Sequence, residues 1–213
     1  MKRYGFIKTF TDYVARNRLQ FMLAILCLVS GTVIGSLSAA SLSDEKFNVL
    51  GSYINNFTSA YGIQSVSHGE IFGFSIYNNI KLLLFMWVSG LFVWLVPFGL
   101  FQLGLKGYKM AYTTFFLVQL YRGNGILFSL VIIIPWMLIM LPTLICYSVL
   151  NFNSAVSLRK LRQKGQGFFS QKELCFRNLV SLVTVAVIFV VSSLIDTFVV
   201  PAVLRPVCSL LCK

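Results

Sequence analysis

The chain has 213 residues, room for one domain, and is 57% hydrophobic but only 11% charged. An ordinary soluble domain is roughly 25% charged, so composition excludes that class. The net charge of +12 sits beside the apolar runs, with no zinc-finger, RNP-like or helix-turn-helix pattern; nucleic acid is excluded as a partner, and a lipid bilayer with anionic headgroups accounts for the basic residues.

In chain order, residues 1–18 carry Lys2, Arg3, Lys8, Arg16 and Arg18 against a single acid, Asp12. Phe6, Phe10, Tyr13 and Asn17 recur at three- or four-residue spacing. That pattern predicts a basic amphipathic start, either lying on lipid or simply leading into the first span. Residues 19–40 form the predicted first span, longer than the apolar core of a signal peptide and so read as a retained anchor. Gly31, Gly35 and Ala39 place small residues at every fourth position, a strip that lets a second helix backbone come close.

Residues 41–81 are the one sizeable loop, expected on the outer side. Ser43 followed by Asp44 and Glu45 reads as a helix start with acids at the positive end of the dipole. Phe47, Leu50, Ile54, Phe57 and Tyr61 follow at helical spacing and make one face apolar. This face either packs on the membrane domain, rests on the outer leaflet or meets a partner. His68 is the only histidine; a catalytic zinc takes three protein ligands, and no set is present in the sequence.

The second span is predicted over residues 82–103, 22 residues without a charge. At 1.5 Å per residue these cover roughly 33 Å, enough for a hydrocarbon core. Asn78, Asn79 and Lys81 mark its polar entry, Trp87 and Gly90 lie within it, and Lys106 and Lys109 form a basic turn at its exit. Residues 105–121 sit at the lower length limit for spanning. If they span, 13 of the 18 Lys and Arg residues gather on one side, as the positive-inside rule prefers. The fourth span, 126–150, carries Pro135 and Pro142 seven residues apart on one side of the helix, read as a structural kink. A basic loop, 157–177, leads to the fifth span, 179–200, closed by Pro201. Asp196 is the one acid in any span and falls near its outer end. Five scattered cysteines, at 27, 146, 175, 208 and 212, form no C-x-x-C pair and read as free thiols.

The predicted fold is therefore all-α, a polytopic helical membrane bundle of about five transmembrane helices. Its N-terminus is expected in the cytoplasm and its C-terminus outside. No span pairs a nucleophile with a base, so neither enzyme chemistry, a cofactor nor a metal is expected.

Several short motifs recur together: Tyr77-Asn78-Asn79-Ile80-Lys81, Phe85-Met86-Trp87-x-x-Gly90, Leu105-Lys106-Gly107, and Ile134-Pro135 with Leu141-Pro142. In this order the chain resembles the stage II sporulation protein M family over nearly its whole length. One departure is Trp136-Met137 after the first proline, where a polar residue often stands. The resemblance implies a multi-pass protein of the mother-cell membrane at the sporulation septum. It implies a non-enzymatic scaffold in engulfment, holding two peptidoglycan-degrading partners, the stage II sporulation proteins D and P. A permease-like membrane subunit of a transport system is the alternative.

Overall fold

In lipid every backbone amide must be paired within the protein, and a helix does this locally. The computed structural model describes residues 3–63, 68–163 and 168–211, and these are helical apart from short connections. The elements are α1 (Arg3–Arg16), α2 (Arg18–Ala40), α3 (Asp44–Ile63), α4 (His68–Ser89), a 3-10 turn (Val93–Leu95), α5 (Val96–Tyr121), α6 (Gly123–Gln163) and α7 (Phe168–Leu211). Among the described residues three stretches are long and apolar enough to cross a membrane: Arg18–Ala40, Met137–Gln163 and Lys172–Ile195.

Apolar side chains lie on both sides of the packing. A core of Met86, Leu103, Met140, Leu144, Tyr147 and Phe189 is almost fully enclosed. Leu26, Val33, Phe74, Leu84, Phe98, Leu138, Val183 and Val187 are nonetheless exposed around the outside. Buried positions include Gly31, Gly35, Asn79, Ser192, Ser193 and Thr197. Small and polar residues inside with an apolar belt outside is the arrangement lipid favours, since the belt has hydrocarbon as its solvent.

The most extensive contact is α2 against α5. Gly31 faces the Gly104 backbone and Gly35 faces that of Tyr108, so the two helices run parallel. A Cβ at Gly31 would meet the Gly104 carbonyl, and one at Gly107 would come 2.6 Å from the Leu28 carbonyl oxygen. Only glycine fits this seam, because the obstacle is backbone that cannot swing aside. α4 and α7 run antiparallel: Ser75 and Asn79 reach Ser193, while Gly90 lies beside Asn178.

Several predicted boundaries are corrected. Residues 82–103 are not one helix. α4 ends at Ser89, the Gly90 amide bonds back to Met86 and Trp87, Phe92 is extended, and α5 restarts at Val96. Pro97, in the first turn of α5, suits this restart: it cannot donate an amide, so a helix start accommodates it without losing a bond. Conversely, the expected basic turn at 104–109 is uninterrupted helix. Gly104 and Gly107 serve close packing there, and Lys106 and Lys109 lie level with Gly31 and Gly35, not at the basic end near Arg18.

The 41–81 loop holds two helices, with α4 beginning well before the expected polar entry. The basic loop 157–177 is mostly helix as well. Arg159, Lys160 and Arg162 sit on the last turns of α6, where cations complement the dipole. α7 does not close at Pro201 but runs to Leu211, and α6 continues through Pro135 and Pro142. A proline inside a helix forfeits one bond but not the helix when neighbouring groups compensate. At 41 and 44 residues, α6 and α7 measure about 60 to 66 Å, twice a hydrocarbon core.

α1 is held onto the bundle. The Tyr13 ring meets Phe21 edge-on at 6.1 Å, and Asn153 donates to Asn17 Oδ1 at 2.9 Å and to the Tyr13 hydroxyl at 3.4 Å. Burial pushes the Tyr13 phenol above its ordinary value, and the Asn153 contact partly offsets this.

The glycine seam generates the first prediction. Gly31→Leu and Gly35→Leu should each cost at least about 1–3 kcal/mol, the range for overpacking a tight contact. Leu26→Ala, on the exposed side of α2, should cost far less. Thermal unfolding of the purified protein in nanodiscs measures the difference, and equal melting temperatures would reject the seam.

Candidate functional site

Within an apolar bundle, polar groups that face inward are the natural places to look for function. Among the described residues, most of these groups gather in two nodes along α4. One node joins α4 to α7: Asn79 Nδ2 donates to Ser193 Oγ at 3.0 Å, and Ser75 Oγ lies 3.1 Å from the same hydroxyl. Thr197 Oγ1 donates back to the Ser193 carbonyl at 2.8 Å, so the whole turn of α7 is tied together. Asn79 is buried while its neighbours Asn78 and Lys81 are exposed, as helical geometry requires of adjacent positions.

The second node lies where α4 breaks. Asn151 of α6 and Asn178 of α7, 3% and 2% exposed, both point at Gly90. A Cβ on Gly90 would come 2.7 Å from Asn151 Oδ1 and 3.0 Å from Asn178 Nδ2. Neither carboxamide meets hydrogen-bond geometry with another described group. Tyr147, one turn before Asn151, is fully buried on the same face. Below the break, a Cβ on Gly99 would come 2.5 Å from Ser89 Oγ, so α5 packs directly under the end of α4. Trp87, half-buried, has its indole nitrogen enclosed. The node is neutral and rich in buried donors and acceptors, suited to holding a small polar group where three helices meet, and its described members include no proton-transfer pair.

The apolar stripe of α3 turns toward the bundle. The Phe47 ring lies 5.1 Å from that of Phe116, Leu50 and Ile54 are half-buried, Gly51 is buried against Leu120, and the Tyr121 hydroxyl meets Asn55 Oδ1 at 2.8 Å. What α3 presents outward is Val49 and Tyr53, 65% and 73% exposed. The side chains of Phe57, Tyr61, His68, Pro135, Asp196 and Cys208 lie outside the described ones, as does Cys212. Pro142 is exposed, and Cys27, Cys146 and Cys175 are free thiols.

Sequence reasoning thus placed Asn79 and Gly90 but missed their partners. Asn151, Asn178 and Ser193 were visible only as isolated polar residues in apolar helices, the one signal that could have singled them out.

The family model described as stage II sporulation protein M matches residues 24–201, which takes in α4, both polar nodes and the α2–α5 seam. The chain belongs to the stage II sporulation protein M family. No curated protein and no solved structure shows a significant match to it. As a stage II sporulation protein M family member with an apolar belt, it is a sporulation-related membrane protein.

Gly90 yields the second prediction. Gly90→Ala should destabilise by about 1–3 kcal/mol, because the added methyl meets two buried carboxamides. Gly73→Ala in the same helix, with nothing within 4 Å of the new Cβ, should be neutral or stabilise by roughly 0.5–1 kcal/mol. Paired thermal melts of the two variants decide it; a Gly90→Ala protein as stable as Gly73→Ala would mean the node is loose.

Proposed function

We propose that the protein is a non-enzymatic scaffold of a sporulation engulfment complex, holding peptidoglycan-degrading partners at the septal membrane of the mother cell. Its partners in this reading are the stage II sporulation proteins D and P. The observation that carries the reading is the family match together with the construction of α3. A helix outside the first span is braced on the far end of α5 through Phe47, Gly51 and Asn55, and holds Val49 and Tyr53 outward. A rigid helix with an exposed aromatic and a β-branched neighbour is a surface for protein, not for catalysis.

The proposal includes five crossings, by α2, α4, α5, α6 and α7, with the N-terminus cytoplasmic and the C-terminus outside. Parallel α2 and α5 and antiparallel α4 and α7 support this arrangement, since parallel neighbours cross in the same direction. Arg16, Arg18, Arg159, Arg162 and Arg177 then share the cytoplasmic end.

A permease-like subunit is the second reading, favoured by one observation: the two neutral polar nodes lie in series along α4. The scaffold needs α3 and tolerates changes in the nodes that preserve the fold, whereas a permease needs the nodes.

Two outcomes are expected. In a cysteine-free background, Lys46→Cys should react with a membrane-impermeant thiol reagent in intact cells, while Lys172→Cys should react only after lysis. Equal labelling of the two sites would remove the five-crossing arrangement. Val49→Glu with Tyr53→Lys should reduce recovery of the hydrolase partners at least tenfold, about 1.4 kcal/mol or more, with the protein still in the membrane. Unchanged recovery, alongside lost function from Asn79→Leu, would favour the permease.

A further inference from the structure

The connection between α4 and α5 exposes more than a chain reversal requires. Trp94 is 87% exposed, and Phe92 is exposed beside it. These two, with Leu91 and Val93, form one wall of a cavity of about 330 Å³; the opposite wall is the end of α6, contributing Ala155, Arg159, Arg162 and Gln163. The Arg162 guanidinium sits over the Phe92 ring, 5.3 Å from its centroid, so the cation is oriented by an aromatic face. Among the described residues no Asp or Glu lines the cavity, so Arg159 and Arg162 face it without a carboxylate from the lining.

We propose that this cavity binds the phosphate headgroup of an anionic phospholipid. Arg159 and Arg162 meet the phosphate, Arg162 through the planar fork that suits bidentate contact with phosphate oxygens. Trp94 lies at the boundary between headgroup and acyl chain, where an indole is favoured because one part is apolar and its N–H remains wet. Phe85 and Val88 on α4 and Phe98 and Phe101 on α5 are exposed on either side of the break; these are surfaces for the acyl chains of the same lipid. The aromatic and apolar flank argues for a lipid over free phosphate, which needs the charges alone. An acidic peptide would likewise leave Phe98 and Phe101 without an occupant.

The bound lipid ties the α4–α5 break to the end of α6, the two elements that also meet through Gly90 and Asn151. The site does not depend on the scaffold reading and holds for any role of the protein in the membrane.

The test uses the full chain in detergent, titrated with short-chain phosphatidylglycerol, phosphatidylcholine, inorganic phosphate or a hexaglutamate peptide, with the bound species counted by native mass spectrometry. Phosphatidylglycerol should bind tightest, and inorganic phosphate should not displace it at equal concentration. Arg159→Gln with Arg162→Gln should weaken phosphatidylglycerol about 30-fold, from ~1 kcal/mol per basic side chain near an anionic headgroup. Trp94→Ala, at a fully accessible side chain, should weaken both lipids while leaving the melting temperature unchanged. Lys160→Gln, in the same turn but off the lining, should change nothing. Equal binding of the two lipids, full displacement by phosphate, capture of an acidic peptide in preference to lipid, or an Arg159→Gln single variant that binds as wild type would each overturn the proposal.

Discussion

The architecture depends on how closely α2 and α5 approach. Four glycines, Gly31 and Gly35 on one helix and Gly104 and Gly107 on the other, bring two backbones into contact. Hydrocarbon offers apolar side chains the same solvation that burial would, so helices in lipid gain little from burying more leucine. Dispersion between closely packed backbones is what remains, and it needs residues without side chains. Everything downstream follows from this seam. It sets α5 parallel to α2, carries the far end of α5 out to α3, and makes the chain reverse between α4 and α5 at residues 90–95.

The same economy explains the polar nodes. A buried carboxamide is expensive in an apolar interior and finds its partners on neighbouring helices. Asn79 does so with Ser193, fixing α4 against α7 at one level. Asn151 and Asn178 converge where Gly90 leaves space at the other. Two such points on one antiparallel pair define a register as well as a contact. At Asn79 the directional bond to Ser193 supplies the uniqueness that non-directional packing of leucine and valine lacks.

Length supplies a third constraint. α6 and α7 are each about twice as long as a hydrocarbon core is thick. At one end α6 delivers Arg159 and Arg162 to the cavity at the α4–α5 break; at the other, α7 reaches the neighbourhood of α3.

The amino-acid sequence by itself determined the class of molecule and some of its helix ends. Long uncharged runs can only be helices in lipid, and residues 19–40 and the end at Tyr121 fall within one residue of the helices observed. It also marked the small-residue strip at Gly31 and Gly35 and the polar position at Asn79. Tertiary structure alone decided where the run from 82 to 121 breaks. Hydropathy is continuous across both Gly90 and Gly104, and a glycine reads the same whether it ends a helix or admits a neighbour. Only the presence of α2 beside Gly104, and of Asn151 and Asn178 beside Gly90, distinguishes the two. The level of Lys106 and Lys109, the inward turn of Phe47 and the partners of Asn79 share that origin. Each depends on contacts between residues dozens to more than a hundred positions apart, which no local pattern encodes.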